Sequence, residues 1–74
     1  MKVLTIVNSD DWTGFYVDND LAMQNHSIDS DEILSYLSEN KIGHFDFEYK
    51  EADEDWLYSK GYLPNLLTQV KFKE

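Results

Sequence analysis

The stretch Trp12-Thr13-Gly14-Phe15-Tyr16-Val17-Asp18-Asn19-Asp20-Leu21-Ala22-Met23 constrains this chain more than any other. Two apolar arms flank Asp18-Asn19, a pair that tolerates the positive φ angles of a two-residue type I′ turn. The pattern predicts a tight β-hairpin with arms near 13–17 and 20–26. With the turn placed there, Tyr16 pairs with Leu21 and Gly14 with Met23. Tyr16, Leu21 and Met23 then share one face, joined by Trp12, while Phe15, Val17 and Ala22 share the other. Both faces carry apolar residues, so one is expected to lie under helices and the other partly under a partner or loop. A two-faced apolar hairpin in so short a chain also suggests a homodimer.

The rest of the chain reads as one domain. Seventy-four residues bury only about 60% of the unfolded surface, so the core is small. Val3, Leu4, Ile6 and Val7 form a run rich in β-branched residues and nearly continuous in apolar character, the mark of a central strand buried on both faces. Asn8-Ser9-Asp10-Asp11 reads as a turn. Asp29 is placed to cap a helix with Glu32 at its third position, and Ile28 and Ile33 have the spacing of a hydrophobic staple. Ile33, Leu34 and Leu37 supply the buried stripe of that helix, with Tyr36 at its margin. Asn40 and Gly43 are its candidate terminators.

His44-Phe45-Asp46-Phe47-Glu48-Tyr49-Lys50 alternates strictly, predicting a strand with Phe45, Phe47 and Tyr49 inward and the polar residues outward. Asp53-Glu54-Asp55 opens a short helix that turns Trp56, Leu57 and, at the margin, Tyr58 inward and ends at Gly61. Leu63-Pro64 forces an extended step, Leu66 and Leu67 a brief helical turn, and Val70 and Phe72 a short final strand or extended tail. The order is β-β-β-α-β-α with a possible last β. The expected class is α+β: one mostly antiparallel sheet with the helices on one face.

Charge narrows the function. Fifteen Asp and Glu stand against six Lys and no Arg, a net charge of −9. Binding to a nucleic-acid backbone needs clustered positive charge, and Arg supplies the planar fork that grips phosphate. Direct nucleic-acid binding is therefore not expected. Cysteine is absent, which suits a reducing compartment. Met1 to Val7 lacks a cleavage pattern, and no apolar run approaches the roughly 18 residues of a membrane span. These features point to the cytoplasm.

Six acids crowd residues 46–55: Asp46, Glu48, Glu51, Asp53, Glu54 and Asp55. One reading is a solvated strand face running into a helix N-terminus. The other is a surface for a basic protein partner, with Tyr58 at its rim. No calcium-loop spacing is present, and His26 and His44 lack ligand spacing, so neither metal nor cofactor is expected. His26, near Ser27, suits a structural hydrogen bond. No G-x-S-x-G elbow or glycine-rich phosphate loop occurs, which argues against an enzyme.

Eleven aromatics are more than so small a core holds comfortably. Phe45, Phe47, Trp56 and Phe72 are expected in the core; Tyr16, Tyr36, Tyr58 and Tyr62 suit a rim or interface. A small-ligand alternative, such as sequestering a nucleotide signal, would stack the ligand on Trp12, Tyr16 and Trp56 with Lys2 or Lys60 as the cation. The missing Arg and the negative field stand against it.

W-x-G-x-Y-V-D-x-x-L at Trp12 to Leu21, followed by His26-Ser27-Ile28 and later by Trp56-Leu57 … Gly61-Tyr62-Leu63-Pro64 … Leu67, resembles a family of small uncharacterised phage and bacterial proteins. Such hairpins usually carry Gly where this chain has Asn19. The resemblance implies a single α+β domain with a hairpin–histidine–helix layout. It also implies a phage-encoded inhibitor that occludes a host or defence protein.

Overall fold

Strand β1 (Lys2–Asn8) runs through the interior with β2 (Thr13–Val17) on one side and β4 (Phe45–Glu51) on the other; β3 (Asp20–Asn25) lies outside β2. A computed structural model describes this arrangement for residues 2–73. Helix α1 (Ser30–Glu39) joins β3 to β4, and α2 (Glu54–Lys60) follows β4. The sheet is mixed: β1–β2 and β2–β3 are antiparallel, β1–β4 parallel. The fold is α+β, as the alternation of patterns implies. Neither helix is long and apolar enough to cross a membrane.

Leu4, Thr5, Ile6 and Val7 are all buried, as a central strand requires. Their side chains alternate between two separate cores. Leu4 and Ile6 join Phe15, Val17 and Leu37 under α1, with Met23, Ile28, Ile33 and Tyr36 packed at the edge. Val7 joins Tyr16, Ala52, Leu57, Leu63 and Val70, with Trp12, Leu21, Trp56 and Phe72 at the margin. The helices therefore cover opposite faces of the sheet, not one face as expected. The hairpin needs no second copy to bury it, because this chain's own segments cover both sides of β2.

The turn falls at Asp18-Asn19, but only Asp18 among the two has a positive φ (55°). It is not the type I′ turn expected. The Asp18 carboxylate accepts from Val3 N (3.0 Å) and Lys2 Nζ (3.3 Å). These contacts hold it below the usual carboxylate range, the backbone bond contributing most. Asn19 serves the C-terminal segment instead: its carbonyl accepts from Leu67 N (2.9 Å) and its Oδ1 from Thr68 N (3.0 Å). Tyr16 pairs with Leu21 as expected, but the register shifts between Phe15 and Tyr16 and pairs Phe15 with Met23. That irregularity moves Met23 to the α1 face.

Helix α1 starts after Asp29, whose carbonyl accepts from Glu32 N and Ile33 N; its side chain makes no cap bond. Leu34, expected in the stripe, is exposed, and Tyr36 takes its place with its ring edge-on to Phe15 (centroids 5.5 Å apart). Helix α2 ends where expected, with Gly61 closing it at φ 82°. Its start is fixed by Asp53, which precedes the helix as its cap: Asp53 Oδ1 accepts from Trp56 N (2.9 Å).

Beyond α2 the chain becomes a strap. Leu63 and Pro64 are buried against β2, Leu66 bridges Asp20, a 3-10 turn spans Leu67–Gln69, and Phe72 bridges Ala52. The final strand is thus a single bridge. Thr5 sits wholly buried with no partner for Oγ1 among the described residues. An unpaired buried hydroxyl is costly. Thr5→Val keeps the shape and should raise stability by about 1 kcal/mol, read as a higher urea midpoint at unchanged slope. A lower midpoint would mean that the hydroxyl has a water partner.

Candidate functional site

The loop after β1 and helix α2 form the walls of a cleft of about 470 Å³. Ser9 N donates to Trp12 O (2.8 Å) and closes the loop. Trp12 Nε1 donates to Gln24 Oε1 (2.9 Å), which fixes the indole at the cleft floor. His26 meets that indole edge-on, with ring centroids 4.9 Å apart and planes at 82°. Its Nδ1 lies 3.2 Å from the Asp11 carbonyl oxygen. A carbonyl only accepts, so Nδ1 carries the proton in this contact and Nε2 is left as the free position.

Asp10, Asp11, Glu54 and Asp55 line the same cleft with Leu57, Tyr58 and Gly61. Tyr58 is almost fully exposed, at 92%. Four acidic residues thus line the cleft with the rings of Trp12, His26 and Tyr58, a lining whose chemistry suits a cation. The acids supply long-range attraction, and a ring face supplies a cation–π surface for an ammonium or guanidinium group. Among the described residues, no three His, Asp or Glu side chains form a group that would hold a metal ion.

The expected acidic surface divides into parts. Glu54, Asp55 and Tyr58 come together in the cleft. Glu51 lies in an adjoining notch with Asp10, Glu54 and Lys73. Asp53 caps α2 through Oδ1 and lines a separate notch with Glu54, Asp55 and Lys73. Asp46 and Glu48 lie exposed on β4, opposite Val3 and Thr5 of β1.

The residues of the small-ligand alternative do not converge. Tyr16 is completely buried and its hydroxyl donates to Pro64 O (2.6 Å), so it offers no stacking face. Lys2 pairs with Asp18 at the opposite end of β1 from Trp12. Trp56 packs at the margin of the α2 core with Lys60 Nζ 5.9 Å above its ring. Of the five, only Trp12 lines the cleft.

Asp10, Asp11 and His26 were not in the expected site, although Asp10-Asp11 precede Trp12 directly. Gln24 had no signal at all. Its side chain receives Trp12 Nε1 and Leu63 N (2.9 Å) at Oε1 and donates to Leu63 O (3.3 Å), tying floor and strap together. No protein-family profile, curated protein or solved structure matches this chain.

Proposed function

We propose that this chain is a non-enzymatic interaction protein that covers a basic surface of a protein partner, as an occluding inhibitor does. One observation carries the reading: four acidic residues line the cleft together with Trp12, His26 and Tyr58, and no Lys lies among its lining residues. A lysine or arginine side chain of the partner fills it. The net charge of −9 speeds the encounter with such a surface and makes binding depend on salt. A phosphate-bearing ligand would meet the same field as repulsion, so the small-ligand alternative is not favoured. A phage-encoded origin and a defence-protein target belong to the same proposal and rest on the resemblance of the hairpin and helix motifs.

The test uses a lysine-rich peptide as probe and follows the Trp12 indole and His26 ring by NMR. Both signals should shift on binding, and the affinity should fall as salt is raised. Asp10→Lys combined with Asp55→Lys should weaken binding by about tenfold or more, equivalent to about 1.4 kcal/mol, with Asp10→Asn/Asp55→Asn intermediate. Undiminished binding by the charge-reversed variant would refute the cleft as the site.

A further inference from the structure

The least expected feature of the fold is the exposure of β4. Phe45, Phe47 and Tyr49 are 38%, 51% and 62% exposed, although the alternation predicts them buried. They stand beside Lys2, Leu4 and Ile6 in register, on the face that α1 covers over β1 and β2. The exposed Leu34 lies on that same helix. The result is an aromatic row along the outermost strand of the sheet.

The backbone of that row is free as well. Ala52 N donates inward to Asn8 O (2.9 Å), while Glu51 O, facing the other way, accepts from Lys73 N (2.9 Å). Backbone groups alternate sides along a strand. Phe45, Phe47 and Tyr49 therefore turn their N–H and C=O outward, and among the described residues these groups have no backbone partner. Past Tyr49 the edge is closed by the strap at Glu51. The open edge thus runs from Phe45 to Tyr49, with apolar side chains on one face and Asp46 and Glu48 on the other.

A second copy of this chain fits that edge poorly. The antiparallel pairing centred on Phe47 uses all three free residues, but it sets Asp46 of each copy against Glu48 of the other. Like charges directly opposite are destabilising. Centring on Glu48 would bring Asp46 opposite Lys50. It would also drive Phe45 into the place beside Glu51 that Lys73 holds.

We infer that β4 accepts an extended strand from a basic protein, in which apolar residues alternate with Lys or Arg. Its apolar side chains lie on Phe45, Phe47 and Tyr49, and its cations face Asp46 and Glu48. Its backbone completes the N–H and C=O groups of the three aromatic residues, the mode by which sheet edges capture peptides. This rests on the reading of a basic protein partner, but assigns it a second surface and a backbone-directed mode of recognition.

The probe is a capped peptide of about seven residues in which Val and Lys alternate. Its control carries N-methyl groups on the amides that would face β4, keeping charge and side chains but losing those hydrogen bonds. Amide exchange is measured on the intact protein. In the free protein, the amides of Asp46, Glu48 and Lys50, which face β1, should exchange slowly and those of Phe45, Phe47 and Tyr49 quickly. The Val/Lys peptide should slow the latter three by about tenfold or more, and the N-methylated control should not. Phe47→Pro removes only an outward N–H, a change edge strands tolerate, and should weaken peptide binding without loss of the circular dichroism of the sheet.

Equal binding and protection by the two peptides would overturn strand addition while leaving the basic-partner reading standing. Absence of binding by either peptide would overturn strand addition, and the lysine-rich probe at the cleft would then decide the wider reading alone. Protection of Phe45, Phe47 and Tyr49 without peptide, growing with protein concentration, would assign the edge to a second copy and overturn the proposal.

Discussion

Leu63→Ala should cost about 3 kcal/mol, the range for truncating a buried leucine, in a domain whose total stability is on the order of 4–10 kcal/mol. Leu63 is 1% exposed and packs from the strap onto β2 beside Tyr16, Val7 and Leu57. It lies over Gly14, where an added Cβ would overlap Leu63 Cδ1. Gly14 is thus glycine for space, not for backbone freedom. Gly14→Ala alone should cost about 2 kcal/mol through overpacking. With Leu63→Ala in place, the overlap disappears and the better strand propensity of alanine remains, worth about 0.5 kcal/mol. The two changes should therefore be strongly non-additive, by about 2.5 kcal/mol in a double-mutant cycle read from urea unfolding. Additive costs would mean that the strap does not rest on Gly14.

What the sequence disclosed was local. The Asp18-Asn19 turn, the central burial of β1, the acidic opening of α2 and the Gly61 stop each depend on residues a few positions apart. The face of Met23 was lost because one irregularity in β3 reverses every later side chain, and no residue there signals it. The burial of β4 was lost for a different reason. Alternation tells which face of a strand is apolar, not whether anything covers it. A helix is about 10 Å wide and strands lie about 4.8 Å apart, so one helix covers about two strands. With the helices on opposite faces of a four-stranded sheet, an outer strand is left uncovered. Among the candidate site residues, Glu54, Asp55, Tyr58 and Trp12 meet because α2 and the loop after β1 share one end of the sheet. Tyr16 left the site because the strap, far away in sequence, claims its hydroxyl.

Tyr16→Phe should cost about 1–2 kcal/mol near neutral pH by removing the donor to the buried Pro64 carbonyl. The same hydroxyl makes the cost depend on pH. Burial disfavours the phenolate and pushes the Tyr16 pKa from 10.0 up to about 12. Between those values the folded state keeps a proton that the unfolded state has lost. Stability from this group is therefore complete below pH 10 and declines as pH rises toward 12. The phenylalanine variant lacks this loss. The stability gap between wild type and Tyr16→Phe should hold constant up to about pH 9.5, narrow above it and close before pH 12. Parallel urea titrations across that range measure it directly. A gap that stays constant through pH 11 would mean that Tyr16 ionises as readily folded as unfolded. The hydroxyl would then reach solvent, and the strap over it would open on the timescale of the titration.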